Sequence, residues 1–337
     1  MEIPQGYSVI PGMFLVAGTK TPVNIYIYMP MNKNLIHFRK KGEELTVTDA
    51  LKLKELSGSQ VLTPTEEYNV AIHQVSKFIV FSPSPKGQPS KEAKAVSDGI
   101  MLSLTGKEET VTLESARKIL DETADLVQQV LTTYRPMPQS NAFEKMLATL
   151  KQNDPIMNHN RHVGALTGVL MFSVGGFSMD EIADASYAGF IHDFCLPSLP
   201  QVLVDRHLQA DDLTQSASKS PELGYARHIE FILNKVRDER IPVTPGTLKV
   251  IEHHHENFDG TGLKGLPSAR IFRPARVLRI ADDLICLVNH TENPRTLKTA
   301  VEELWSLSAF GRNVYDPEML KLIRSAIFSQ SAAEPQV

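Results

Sequence analysis

The spacing of apolar and polar positions changes character once along this chain. Residues 23–29, VNIYIYM, alternate and are rich in β-branched and aromatic types. PMNKN (30–34) reads as a turn and LIHFRK (35–40) as the returning strand. TDALKLKELSG (48–58) opens on a capping threonine, keeps helical spacing and ends on glycine, so it predicts a short helix. Together these predict a small α+β module over residues 1–81. SPSPKGQPSKEAKAVSDG (82–99) is rich in Pro, Ser and Lys and reads as a loop or linker.

In TLESARKILDETADLVQQVL (112–131) the apolar residues Ala116, Ile119, Leu120, Ala124, Val127, Val130 and Leu131 recur with helical period behind a threonine cap. YRPMPQS (134–140) breaks that helix, so residues 82–140 read as a linker with a connecting helix. From Asn141 onward nearly every segment reads as helix and strand-like alternation is absent. Residues 141–330 are therefore expected to form an all-α bundle. No internal repeat is detected.

Composition narrows the classes. A chain of 337 residues, 42% hydrophobic, suffices for one large domain or two ordinary ones. A net charge of −4 and a pI near 6.3 argue against a nucleic-acid polymer or an anionic membrane surface as the main partner. The first residues lack the basic and apolar regions of a signal peptide. The most apolar stretch, GALTGVLMFSVGGF (164–177), is too short and too Gly-rich to span a bilayer. Cys195 and Cys286 are too few for a disulfide framework, so a cytoplasmic protein with two buried thiols is expected.

The helical region carries metal-capable residues in four places: His159 in NHNRHV, His192-Asp193 in GFIHDF, His254-His255 in EHHHENFDG, and Asp282 in RIADDL. Imidazole and carboxylate are the usual ligands of catalytic Fe, Mn and Zn, and bundles build such centres from several helices. Taken singly, each piece also has a structural reading. His159 and His162 share a helical face and suit a surface or a cap. The His192-Asp193 pair ends an apolar helix, where burial is costly unless the groups are bound or paired, and a satisfied core pair is one solution. Neighbours on a helix diverge by about 100°, so of three consecutive histidines His253 is expected to be the one that does not ligate. Asp282 sits in a largely apolar helix, and buried aspartates are rare without a partner.

As an ordered series, His…His-Asp…His-His…Asp resembles the HD superfamily of metal phosphohydrolases. More closely it resembles the HD-GYP branch, the bacterial phosphodiesterases of cyclic di-GMP. The resemblance covers roughly residues 141–328 and includes PELG (221–224), HHENFDGTG (254–262), ARVLRIADDL (275–284) and NVYDPEML (313–320). It implies a binuclear centre of two transition-metal ions, iron or alternatively manganese. His159, His192 and Asp282 would hold one ion, His254 and His255 the other, and Asp193 would bridge them. His192 and Asp193 would be the catalytic pair, with cyclic di-GMP or a related cyclic dinucleotide as substrate.

The chain departs from the family pattern. GLK replaces the GYP triplet, with Leu263 for tyrosine and Lys264 for proline. HDxGK reads HDFCL, with Cys195 and Leu196 for glycine and lysine. Ser220 stands where a histidine usually precedes the PELG-like segment, Pro155 where a glutamate can serve a third metal, and Ile285 at the second aspartate of DxxD. On a continuous helix His228 would lie about 12 Å beyond Ser220, too far to replace the missing imidazole, so it is left out of the expected ligands. Arg295 and Lys298 in NPRTLK share a helical face and are candidate phosphate-binding cations, or else an ordinary solvated helix start. Glu256 and Asp259 either orient imidazoles or shape the loop, the latter being favoured for Asp259 beside Gly260.

The leading expectation is metal-assisted phosphodiester hydrolysis. A metal-stabilised sensor that binds a cyclic dinucleotide or a signalling partner without turnover is the first alternative, and an HD hydrolase of another phosphoester the second. The N-terminal module is expected to be regulatory or dimerising.

Overall fold

The computed structural model describes residues 3–10, 20–56, 60–68, 87–89, 91–105, 113–135, 154–196, 227–309 and 313–329, with isolated positions between them. An antiparallel sheet comes first: β1 (Tyr7–Val9), β2 (Ile25–Met29), β3 (Asn34–Arg39) and β4 (Val61–Pro64), in spatial order β1-β4-β2-β3. The expected hairpin is β2 and β3, with Ile27 opposite Ile36 and Tyr28 opposite Leu35. Helix α1 (Val47–Glu55) is capped by Thr46 rather than by Thr48, because the Thr46 side chain accepts from the Asp49 N–H while Asp49 reaches back to the Thr46 N–H. Ile10, Val23, Ile25, Leu45, Leu53 and Val61 fill the space between helix and sheet.

One expectation fails next. Residues 82–99 were expected to be a loop, yet α2 (Lys91–Thr105) runs through their second half. The Pro and Ser residues that signal a loop lie at positions 82–90. Beyond them Ala93, Val96, Ile100, Met101 and Leu104 recur at helical spacing and are buried in the main core. Helix α3 (Leu113–Tyr134) follows. Tyr68, just after β4, packs on both the module's core and the main core.

The rest of the described chain is helical: α4 (Pro155–Val174), α5 (Met179–Ile191), α6 (His228–Asp238), α7 (Pro245–His253), α8 (Arg273–Val288), α9 (Leu297–Ala309) and α10 (Pro317–Ser329), with a short 3-10 turn at Ser268–Arg270. The protein is thus an antiparallel α+β module followed by a helical bundle. The candidate segments at 141–152 and 221–224 lie outside the described residues. The apolar stretch 164–177 belongs to α4 and the turn after it, buried in the bundle. Among the described residues no helix is long and apolar enough to cross a membrane.

Helix α4 is the axis of the bundle, packed against α5, α8, α3, α2 and α10. It is buried almost all round, as a central helix must be. Asp154 caps it, accepting from the N–H groups of Ile156 and Met157 at 2.9 and 3.1 Å, and Pro155 takes the first helical position, where no N–H is needed. The α4–α5 crossing depends on glycine. A Cβ on Gly189 would lie 2.6 Å from the Gly164 Cα, and one on Gly164 would lie 2.7 Å from the Phe190 ring. Helix α7 is tied to α5 by Asp184, whose Oδ1 accepts from Thr244, from Thr247 at 3.2 Å and from Arg135 at 2.7 Å. These contacts fix the start of α7 against the middle of α5, and the candidate ligands sit at the opposite, C-terminal ends of the two helices.

Candidate metal centre

Each histidine reaches the site by a local device. Ser178 and Glu181 form a capping box at the start of α5. At its other end His192 is the C-cap, and its Nδ1–H donates back to the Gly189 carbonyl at 2.8 Å. His254 repeats this at the end of α7, where its Nδ1–H donates to the Ile251 carbonyl at 2.6 Å. A carbonyl only accepts, so both rings carry hydrogen on Nδ1 and turn Nε2 toward the interior.

There imidazole Nε2 atoms gather around the carboxylates of Asp193 and Asp282. His159, on α4, has Nε2 3.0 Å from Asp282 Oδ1 and 4.0 Å from Asp193 Oδ2. His192 Nε2 lies 3.2 Å from Asp193 Oδ2 and 3.7 Å from Asp282 Oδ1. On the other side of Asp193, Oδ1 lies 3.4 Å from His228 Nε2. Among the described residues, three overlapping groups could hold an ion: Asp193 with His228, His254 and His255; His159 with His192 and Asp193; and His159 with Asp282 and Cys286. Their carboxylates are fully enclosed, Asp193 being 0% and Asp282 1% exposed.

The structure therefore brings His159, His192, Asp193, His254, His255 and Asp282 together, and adds His228. The exclusion of His228 is corrected. It assumed one continuous helix from Ser220, whereas α6 begins at His228 itself, so the 12 Å rise does not apply. The sequence did carry a signal: His228 precedes Ile229, Ile232 and Val236, all buried, which places it at the inward start of an amphipathic helix.

His253 faces away from the cluster and accepts from the Phe272 N–H at 3.0 Å. His162 is a structural tie. Its Nε2 donates to Asp121 at 3.1 Å and its Nδ1 accepts from Asn289 at 3.2 Å, joining α3, α4 and α8. The Arg295–Lys298 pairing is also corrected. Helix α9 begins at Leu297, so the two do not share a helical face, and Arg295 is engaged with Glu303 at 3.1 Å. Glu256 shapes the loop rather than an imidazole, accepting from the N–H groups of Lys264 and Leu266 at 2.7 and 2.8 Å. Asp259 makes a turn by accepting from Thr261 N–H at 3.0 Å. Leu196 is buried in the core, and Leu263 packs on it half-buried.

His255 differs from its neighbours. Its Nδ1 lies 3.2 Å from Arg279 Nη1. A guanidinium only donates, so this nitrogen accepts and the ring hydrogen is on Nε2. Arg279 is in turn held by Asp283 at 3.1 Å, and Tyr315 donates to the same carboxylate at 2.7 Å. In this arrangement His255 Nε2 carries the hydrogen and offers no lone pair.

Without a bound cation the cluster is electrostatically divided. Burial opposes charge on His192, but Asp193 and Asp282 outweigh it and raise its pKa to about 10. Burial, joined by the positive charge of His192 and His228, lowers His254 to about 3. Burial and the neighbouring imidazoles hold His255 well below its ordinary value. For Asp282 burial acts upward, but hydrogen bonds from His159 and His192 hold it well below the usual carboxylate range. So dense a set of enclosed imidazoles and carboxylates is costly for a core and suits divalent cations, whose charge the carboxylates balance and which imidazole nitrogens ligate once they have given up their protons.

An HD domain family model matches residues 136–319. No curated protein sequence matches the chain significantly. A solved structure described as Bd1817, a HDG"Y"P protein from Bdellovibrio bacteriovorus, is similar at 17% identity over 95% of this chain and 98% of that one, with a TM-score of 0.38, too distant to bear on the chemistry. With more than half its length matched by the family model, and with a motif series that resembles the HD-GYP branch, the chain belongs to the HD domain family.

Proposed function

We propose that the protein is a metal-dependent phosphodiesterase of the HD-GYP type, with a binuclear centre and cyclic di-GMP or a related cyclic dinucleotide as substrate. One observation carries the reading: the two oxygens of Asp193 face different ligand sets, Oδ1 toward His228 at 3.4 Å and Oδ2 toward His192 at 3.2 Å. That is the disposition of a bridging carboxylate. His159, His192 and Asp282 would hold one ion, with iron or manganese as the metal. His228 and His254 would hold the other, joined by His255 when Arg279 releases it. When bound, a pair of divalent ions supplies Lewis acidity and neutralises a phosphodiester's negative charge.

The chain's own residues supply order. The carbonyls of Gly189 and Ile251 lock the rings of His192 and His254, so no rotation is needed on loading. Enclosure keeps bulk water from the ligands. Leucines stand at 196, buried in the core, and at 263, half-buried against it, where the resemblance implies a cation and a tyrosine. That favours a second reading, a sensor that binds the dinucleotide without cleaving it, with the N-terminal module passing the signal to a partner or a second copy.

The deciding experiment loads chelator-treated protein with iron or manganese and follows cyclic di-GMP. Metal-dependent linearisation, lost together with metal in His192→Ala and Asp193→Ala, is the expected result. Full turnover by either variant overturns the proposal, and tight binding without cleavage transfers it to the sensor. A phosphoester panel covers the remaining substrates of the superfamily.

A further inference from the structure

Cys286 stands one helical turn beyond Asp282 on α8, and residues four apart on a helix share a face. Its Sγ, a carboxylate oxygen of Asp282 and a ring nitrogen of His159 all lie within 4.8 Å of one another. All three side chains are enclosed, at 3%, 1% and 2% exposure. Cys195, the other cysteine, is half-buried and belongs to none of the three ligand groups.

We infer that Cys286 is a sulfur ligand of the ion held by His159 and Asp282. The inference rests on the metal-centre reading above and adds a donor to it. With metal–sulfur bonds near 2.3 Å and metal–nitrogen bonds near 2.0 Å, neighbouring ligand atoms on one ion are roughly 3.0–3.5 Å apart. From separations of at most 4.8 Å, closing the triad on an ion therefore takes up to roughly 1–2 Å of contraction, supplied by side-chain rotation. On coordination the thiol loses its proton to the buffer and the sulfur binds as thiolate. A thiolate makes this position softer than an all-nitrogen and oxygen site, so it favours zinc, cobalt and iron over manganese. Cys286 thereby sets which metal the centre accepts, and α8 supplies two adjacent ligands from one face.

The test uses the full chain, stripped of metal with chelator and reloaded with cobalt(II). Wild type and Cys195→Ser are expected to show a thiolate-to-cobalt charge-transfer band in the near ultraviolet. Cys286→Ser and Cys286→Ala are expected to lose the band while still binding cobalt, and to discriminate less against manganese in competition. X-ray absorption on loaded wild type gives a check that needs no variant, a sulfur scatterer at about 2.3 Å. If wild type binds cobalt with neither band nor sulfur scatterer, or if the band survives both substitutions at Cys286, the thiol's role is overturned and the centre stands. If folded wild type binds no cobalt, manganese or iron, the centre itself is overturned, and the thiol's role with it.

Discussion

The Nε2 atoms of His228 and His254 lie 3.4 Å apart. His254 gives its Nδ1 hydrogen to a backbone carbonyl, so its Nε2 offers a lone pair at that contact. His228 Nε2 is equally close to Asp193 Oδ1, at 3.4 Å. An ion entering between these three atoms would take the His254 lone pair and the Asp193 oxygen as ligands beside His228.

His228→Ala should therefore lower metal content from about two ions per chain toward about one, with loss of phosphodiesterase activity. Elemental analysis of the reloaded variant checks this. Unchanged content would mean that His254, His255 and Asp193 suffice for the second ion.

Loading should release protons in a pH-dependent way. The His192 imidazole, with its pKa raised to about 10 by Asp193 and Asp282 against the effect of burial, is charged at neutral pH and must give up its Nε2 proton to ligate. Metal affinity should rise by about tenfold per pH unit per proton released, levelling off near pH 10. The sign for the metal-free fold is opposite. A raised pKa stabilises below the ordinary value of 6.5, and that stability is lost as pH climbs through about 10. Calorimetric titration in buffers of different ionisation heat counts the protons, and a count of zero at neutral pH would contradict the assignment.

His254 works the other way. Its pKa falls from 6.5 to about 3 on folding, through burial and the charges of His192 and His228, so the unfolded chain takes up a proton first as pH drops. The metal-free fold should lose about 1.4 kcal/mol per pH unit from this group below pH 6.5, continuing toward pH 3. Urea unfolding across that range should be steeper in wild type than in His254→Gln. Parallel curves would show that the ring is not held neutral.

Gly189→Ala tests how the helix crossing serves the centre. The added methyl would sit 2.6 Å from the Gly164 Cα, against backbone that cannot rotate away. Overpacking of this kind costs about 1–3 kcal/mol or more. Spreading α4 from α5 also parts His159 from His192 and Asp193. Thermal unfolding should show the loss, and metal content should fall with it. A variant with wild-type stability and full metal content would place the crossing elsewhere.

Several helices were legible before any coordinates because their apolar period is a local property. Helix α3 is an example, with Leu120, Ala124, Val127 and Leu131 buried as their spacing implies. Local reading failed where composition averaged over a boundary, as at residues 82–99, where loop chemistry stops and α2 begins at Lys91. It failed again at Thr46, because a cap depends on which hydroxyl reaches the third N–H and not on which threonine stands nearest the pattern.

By itself the sequence determined the chemistry on offer: imidazoles and carboxylates in a set order on apolar helices, and loops that turn at Asp259 and Gly260. The tertiary structure alone decided which of them meet. His228 comes within 3.4 Å of Asp193 because α6 starts at that residue, and Cys286 within 4.8 Å of Asp282 and His159 because α8 carries Asp282 and Cys286 on one face. Arg295 is paired with Glu303, 3.1 Å away, eight residues along the chain. Helical period acts over a few residues, whereas ligand convergence depends on the crossing of α4 and α5 at Gly164 and Gly189, a contact between residues 25 positions apart that no local pattern encodes.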